Sequence, residues 1–283
     1  MPDKIFPYGR GAMLFLILLA PTLFLPAQDW LHLLCANGIF VLLILVWLIA
    51  AKHFRIPEPW TLLARMPKGL RQILYGILIL FGGGSALYTA WCTASFLSQT
   101  ALKLWPVWLA ALGLLIICWL IVRHGAPTLF RWAIPTAWIV GLTAALSLAL
   151  SLPDWKMPTL SHAFLGSRFL GQILGGSSIL FAFVLFTGFD PELPQKRTLL
   201  LSGSFAAVLA GLTAFRASAV LGANCANLLR YPAYAASGVF QVGVLARSEV
   251  IFGGILLLCL AAQITLFLCV MHTAYQELRK IRA

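Results

Sequence analysis

Charge is what this sequence has least of. Asp, Glu, Lys and Arg make up 10% of its 283 residues, whereas a soluble globular domain carries about 25%. Acidic groups are rarest, eight in all: Asp3, Asp29, Glu58, Asp154, Asp190, Glu192, Glu249 and Glu277. All eight fall at the ends of apolar blocks or between them, and no histidine stands mid-block beside them. That excludes a carboxylate proton relay across a membrane. HExxH, GxSxG and paired-aspartate patterns are missing too, so the chain reads as a non-enzyme. The six cysteines (Cys35, Cys92, Cys118, Cys225, Cys259 and Cys269) form no CxxC pair. They read as small buried hydrophobes rather than metal ligands or disulfides. No cofactor is implied.

What is present is apolar sequence in blocks. Hydrophobic residues make up 61% of the chain and the mean hydropathy is +0.94. A helix needs about 20 apolar residues to cross the hydrocarbon core. Eight stretches qualify as candidates: 11–26, 30–51, 73–98, 105–122, 132–152, 169–189, 199–221 and 250–274. Helices are required because backbone facing lipid must satisfy its own hydrogen bonds, and no stretch alternates as a barrel strand would. The expected fold is therefore an all-α integral membrane protein, a single transmembrane domain over 1–283. Lys4 and Arg10 ahead of the first block also fit a signal peptide. Pro26 in "LFLPAQ" occupies the place of a small-residue cleavage site, which favours a retained first helix.

The net charge of +12 reports orientation rather than a nucleic-acid partner. With a cytoplasmic N-terminus, the inner segments hold Lys4, Arg10, Lys52, Arg55, Arg65, Lys68, Arg71, Arg123, Arg131, Lys196, Arg197, Arg279, Lys280 and Arg282, 14 of the 20 basic residues. Lys103, Lys156, Arg168, Arg216, Arg230 and Arg247 remain outside or near the outer face. This is the positive-inside pattern, and it places both termini in the cytoplasm. Arg216, near the outer end of its block, is expected to snorkel to the interface. The inner connection "KHFRIPEPWTLLARMPKGLRQ" reads as a cytoplasmic loop with a short interfacial helix. Trp30, Trp105, Trp132 and Trp155 fall at block ends, as an aromatic belt would place them.

Two blocks are interrupted. Pro21 lies inside "GAMLFLILLAPTLFLP" and predicts a break at Ala20-Pro21-Thr22, because proline removes a backbone donor and clashes with the preceding turn. The sixth block, "FLGQILGGSSILFAFVLFTGF", carries Gly175, Gly176, Ser177 and Ser178, a place for a helix to unwind. Interrupted helices in corresponding halves are the best sequence pointer to a transporter's binding site. Unwound backbone there can hold a substrate's carboxylate or ammonium. Ser177 and Ser178 are the first candidates for contact and Thr22 the next, with Gln263 in the last block reaching the same cavity. The structural alternatives are a small-residue packing surface at Gly171-x-x-x-Gly175 and an interhelical amide hydrogen bond at Gln263.

A first and a sixth broken helix match the LeuT-type five-plus-five inverted repeat. Within that frame come "RHGAPTLFRWAIPTAWIVGLTAALSLALSLPDWKM", "FTGFDPELPQKR", "LRYPAY" and "GVFQVGVLARSEVIF". This order resembles the spore germination permease family, the B subunits of nutrient germinant receptors, in the amino acid–polyamine–organocation superfamily. The resemblance is diffuse over nearly the whole chain and most specific from Tyr231 to Phe252.

It implies a LeuT-type bundle with a first repeat over 11–152 and an incomplete second repeat over 169–274. The last two of the family's usual ten helices have no counterpart after "MHTAYQELRKIRA". It also implies a multi-pass protein of the spore inner membrane that binds a small nutrient, most simply an amino acid, and works with other receptor subunits. The alternatives are an amino-acid transporter of the same superfamily and a truncated, non-binding scaffold. By analogy with the superfamily, Tyr88 and Trp91 wall a pocket. The connection 224–246 folds back as a lid over the outer vestibule, turned by Pro232 and Gly238. Arg247 and Glu249 complete the gate at the start of the last helix. There Ser248 caps the helix and Glu249 meets the positive end of its dipole.

Overall fold

The computed structural model describes residues 6–20, 30–53, 59–156, 179, 181–185, 193–222, 225, 228–238 and 248–282. The described residues contain no strand. Their helices are α1 (Phe6–Leu19), α2 (Trp30–His53), α3 (Pro59–Ala64), α4 (Lys68–Thr100), α5 (Val107–Arg123), α6 (Ala126–Ser151), α7 (Leu193–Leu221), α8 (Pro232–Ser237) and α9 (Ser248–Arg282). A 3-10 turn, Leu152–Asp154, follows α6, and residues 181–185 are helical.

Four helices are long and apolar enough to cross a membrane: α4, α6, α7 and α9. Shorter apolar stretches lie in α1, α2 and α5. Most of the expected sixth block lies outside the described residues. The helices run past the expected apolar limits. α4 takes in Lys68 and Arg71 at its start, and α9 continues through Glu277 to Arg282. The long basic connection, expected to carry a short interfacial helix, contains the short helix α3.

From Gly11 onward α1 is apolar all round, and Met13 through Ala20 are each at most 6% exposed. A helix without a polar face is one enclosed on every side, and α1 packs against α6, α7 and α9. The outer helices show the opposite pattern. α2 buries Ala36, Phe40 and Ile44 and turns Leu42, Leu43, Val46 and Ile49 outward.

Small residues set the closest helix approaches. α4 buries Gly82, Ala86 and Ala90 at intervals of four, and a Cβ built on Gly82 would lie 2.8 Å from the Phe267 carbonyl oxygen of α9. α7 presents Gly203 and Gly211 to α2, where the same construction meets Val41 at 3.3 Å and Leu34 at 2.4 Å. Such spacing lets backbones approach where packing, rather than expulsion of water, drives association.

α1, α6 and α7 start at one end of the bundle, because Gly9 abuts Phe130 and Gly11 abuts Thr198 and Ser202. α4 starts and α9 finishes at that end as well, with Trp119 of α5 meeting His272 of α9 edge-on at 5.3 Å. Two glycines close the connections in the left-handed region: Gly125 (φ +86) between α5 and α6, and Gly222 (φ +77) after α7. Gly222 N–H donates to the Ser218 carbonyl at 3.1 Å, and a side chain at either glycine would be strained. The result sorts charge. Arg65, Lys68, Arg71, Arg123, Arg131, Arg197, Arg279, Lys280 and Arg282 gather at this end, whereas Lys103, Lys156 and Arg230 lie toward the other.

Candidate functional site

α1 is short. Its 14 residues span ~21 Å at the α-helical rise, less than the ~30 Å hydrocarbon core. It ends at Leu19, and Ala20 is fully buried. The next residue, Pro21, has no N–H to return to the helix. The expected break therefore begins at a fully enclosed position. Pro21, Thr22, Gly175, Gly176, Ser177, Ser178 and Arg247 lie outside the described residues. Phe15 of α1 stacks on Phe205 of α7 at 5.8 Å, which puts Ala20 level with about residue 210 of that helix.

Near that level, Asn37 of α2 is 2% exposed and its Nδ2 has no hydrogen-bond partner among the described residues. It shares a helix face with Leu34 and Val41, the residues that meet Gly211 and Gly203 of α7. Asn37 drew no attention in the sequence because it stands alone in an apolar block. Its signal was a primary amide in the first third of a 24-residue apolar helix.

Arg216 overturns an expectation. In place of snorkelling, it is 0% exposed. It lies five residues before the end of α7, roughly 7 Å along the axis, and α6, α8 and α9 enclose it. Nη1 donates to Ser147 Oγ of α6. Nη2 donates to the Ala233 carbonyl of α8 at 3.0 Å. The guanidinium carbon lies 4.6 Å from the centre of the Phe252 ring of α9, a cation–π geometry. Among the described residues Nε has no partner, and no carboxylate pairs with the guanidinium. Snorkelling fails because α8 closes over the route to the surface.

α8 is the described part of the connection expected to form a lid. Pro232, Ala233, Ala236 and Ser237 are buried, so this segment neither spans nor stands in solvent. Pro232 occupies the first turn, where its missing N–H costs nothing. Phe96 of α4 meets Tyr231 at 5.0 Å and Tyr234 at 5.2 Å, both edge-on. Tyr234 also packs on Gly253 of α9, where an added Cβ would lie 3.0 Å from its ring. Burial pushes the Tyr231 phenol above the ordinary tyrosine range, and the neighbouring Arg230 guanidinium partly offsets the shift.

α8 is followed by Gly238, whose N–H donates to the Ala235 carbonyl at 3.0 Å. Gly238 has φ −80, so the turn does not depend on glycine's left-handed freedom. Glu249 Oε2 lies 3.3 Å from where a Gly238 Cβ would stand, so two expected gate residues meet. α9 begins at Ser248 with Glu249 in its first turn.

The other expected residues are scattered. Gln263 is 9% exposed, midway along α9. Tyr88 and Trp91 are 72% and 53% exposed on the outward face of α4, opposite the Gly82–Ala86–Ala90 stripe. They do not join the buried residues around α1. Trp155 folds back, its Nε1 donating to Ser151 Oγ at 2.9 Å and its ring meeting Phe215 at 5.3 Å. The six cysteines are free, and the described residues contain no cluster of metal-ligating side chains.

No protein-family model matches the chain, and comparison with curated proteins finds no relative.

Proposed function

We propose that this chain is a germination-permease-like membrane protein that binds a small nutrient, an amino acid, as a subunit of a spore germinant receptor. The observation that carries the binding site is the buried end of α1 at Ala20, directly ahead of Pro21. In this reading the chain breaks at Pro21 inside the bundle, and the carbonyls a break leaves without intrahelical partners are tolerated at membrane depth where they line a cavity or a ligand. Thr22, Ser177 and Ser178 supply hydroxyls in this reading, and the Asn37 amide adds a donor that no described residue takes up. The family assignment rests on the sequence resemblance, above all Tyr231 to Phe252.

Ligand binding shifts the equilibrium between two arrangements of the bundle, and a partner subunit reads the change. In the same reading the end that gathers Arg65, Lys68, Arg71 and Arg279 faces the cytoplasm.

The test is binding of a panel of labelled amino acids to the purified protein in lipid nanodiscs. One or more should bind saturably, with affinity lowered at least ~10-fold in Ser177→Ala or Pro21→Ala. Unchanged affinity in well-folded variants overturns the site. Counterflow of the same amino acid in proteoliposomes would assign a transporter instead.

A further inference from the structure

Arg216 is a full positive charge enclosed in the bundle, satisfied by two neutral oxygens and one aromatic face. A buried charge without a counter-charge is costly, and an ionisable group at membrane depth marks a functional site by default. The nearest gate carboxylate, Glu249, sits against Gly238, at the opposite end of α8 from Ala233. It does not pair with Arg216.

The pattern of used and unused donors shows what is missing. A guanidinium presents Nε–H and Nη2–H side by side, and this edge matches the two oxygens of a carboxylate. In Arg216, Nη2 holds the Ala233 carbonyl, and the buried Nε holds nothing among the described residues. The lid carbonyl thus holds one of the two nitrogens that a carboxylate would use.

We propose that Arg216 is the binding site for a small carboxylate beneath α8, which takes the Nε–Nη2 edge and displaces the Ala233 carbonyl. Ser147 and the Phe252 ring hold the guanidinium in place during the exchange. Once Ala233 is released, the only described hydrogen bond from the α7 side chain to the lid backbone is lost, and α8 opens more readily. Arg216 thus links the arrival of an anion to the lid. In axial register it stands about six residues, roughly 9 Å, beyond the level of Ala20, between the end of α1 and the lid. The proposal rests on reading the chain as a ligand-binding protein, though it does not need the site at Pro21 and Ser177.

The experiment is hydrogen exchange by mass spectrometry on the full chain in nanodiscs, with sodium propionate, sodium phosphate, propylammonium chloride and sodium chloride compared at equal ionic strength. Propionate should raise exchange of the 231–238 amides about fivefold relative to chloride, and propylammonium should not. Arg216→Lys keeps the charge but lacks the fork, and should abolish the response. Exchange of the 255–270 amides in the same spectra shows whether the variant is folded, and Arg216→Met replaces it if it is not.

A lid unmoved by propionate, an equal response to propylammonium, a response to phosphate alone, or a response that survives either substitution would overturn the assignment. A propionate response without any amino-acid binding keeps the Arg216 site while removing the proposed function. Amino-acid binding without a propionate response does the reverse.

Discussion

The seam between α4 and α9 and the cluster around α8 both join α4 to α9, and they do so by different means. At the seam, Gly82 stands so close to the Phe267 carbonyl and the Met271 amide that contact is backbone to backbone. At the other end of the same two helices, Phe96, Tyr231, Tyr234 and Arg216 connect α4, α7, α8 and α9 through side-chain tips. A backbone contact has no alternative rotamer to adopt. A ring edge or a guanidinium can change partner at modest cost. The seam is thus suited to stay fixed, whereas the α8 cluster is suited to rearrange, the division that the proposed gating needs.

The most severe way to break this contrast is at the seam. Gly82→Leu drives a side chain into the α9 backbone and should cost ~3 kcal/mol or more. The expected result is loss of monodisperse folded protein on size-exclusion chromatography. A normal elution profile and unchanged melting would show that the seam is adjustable after all.

Phe96→Ala removes the ring that both lid tyrosines meet, and burial of this size is worth about 3 kcal/mol. The loss should be local. Exchange of the 231–238 amides should rise, with the amides of α4 and α9 near Gly82 unaffected. A uniform rise over both regions would merge lid and seam into one cooperative unit.

The smallest effect is a pH dependence. Tyr231 lies at the lid, outside the long helices, and burial holds its phenol above the ordinary value. The folded state therefore keeps this proton more tightly than the unfolded state, and the associated stability is complete below the ordinary tyrosine pKa of about 10. It is lost as the pH rises through the folded value. Lid exchange should increase above about pH 10 beyond the normal base catalysis seen in unfolded peptides, and Tyr231→Phe should remove that excess.

The elements were readable to different depths in the sequence. Long apolar runs announced α4, α6, α7 and α9, because length and hydropathy alone decide whether a helix can cross a bilayer. Pro21, where proline's effect on the local backbone predicts a break, lies just past the described end of α1. Proline and mixed polarity in the stretch from Leu228 to Gly254 announced a segment that neither spans nor dissolves, and its described part at α8 is largely buried. Tyr88 went astray because an aromatic in an apolar run carries no sign of which face it occupies. Only the Gly82–Ala86–Ala90 contact with α9 turned it outward.

By itself, then, the sequence determined the all-helical membrane character, the apolar helices and the sorting of basic residues to one end. These follow from hydropathy, backbone hydrogen bonding and charge, which act residue by residue. Tertiary structure alone decided the state of Arg216. In sequence it was a basic residue near a helix end with a short way to water. Folding brought Ser147, Ala233 and Phe252, from three other helices, over that way out. Whether a charge snorkels or is enclosed depends on what covers it, and the covering residues lie 69 and 17 positions away along the chain for its two hydrogen-bond partners.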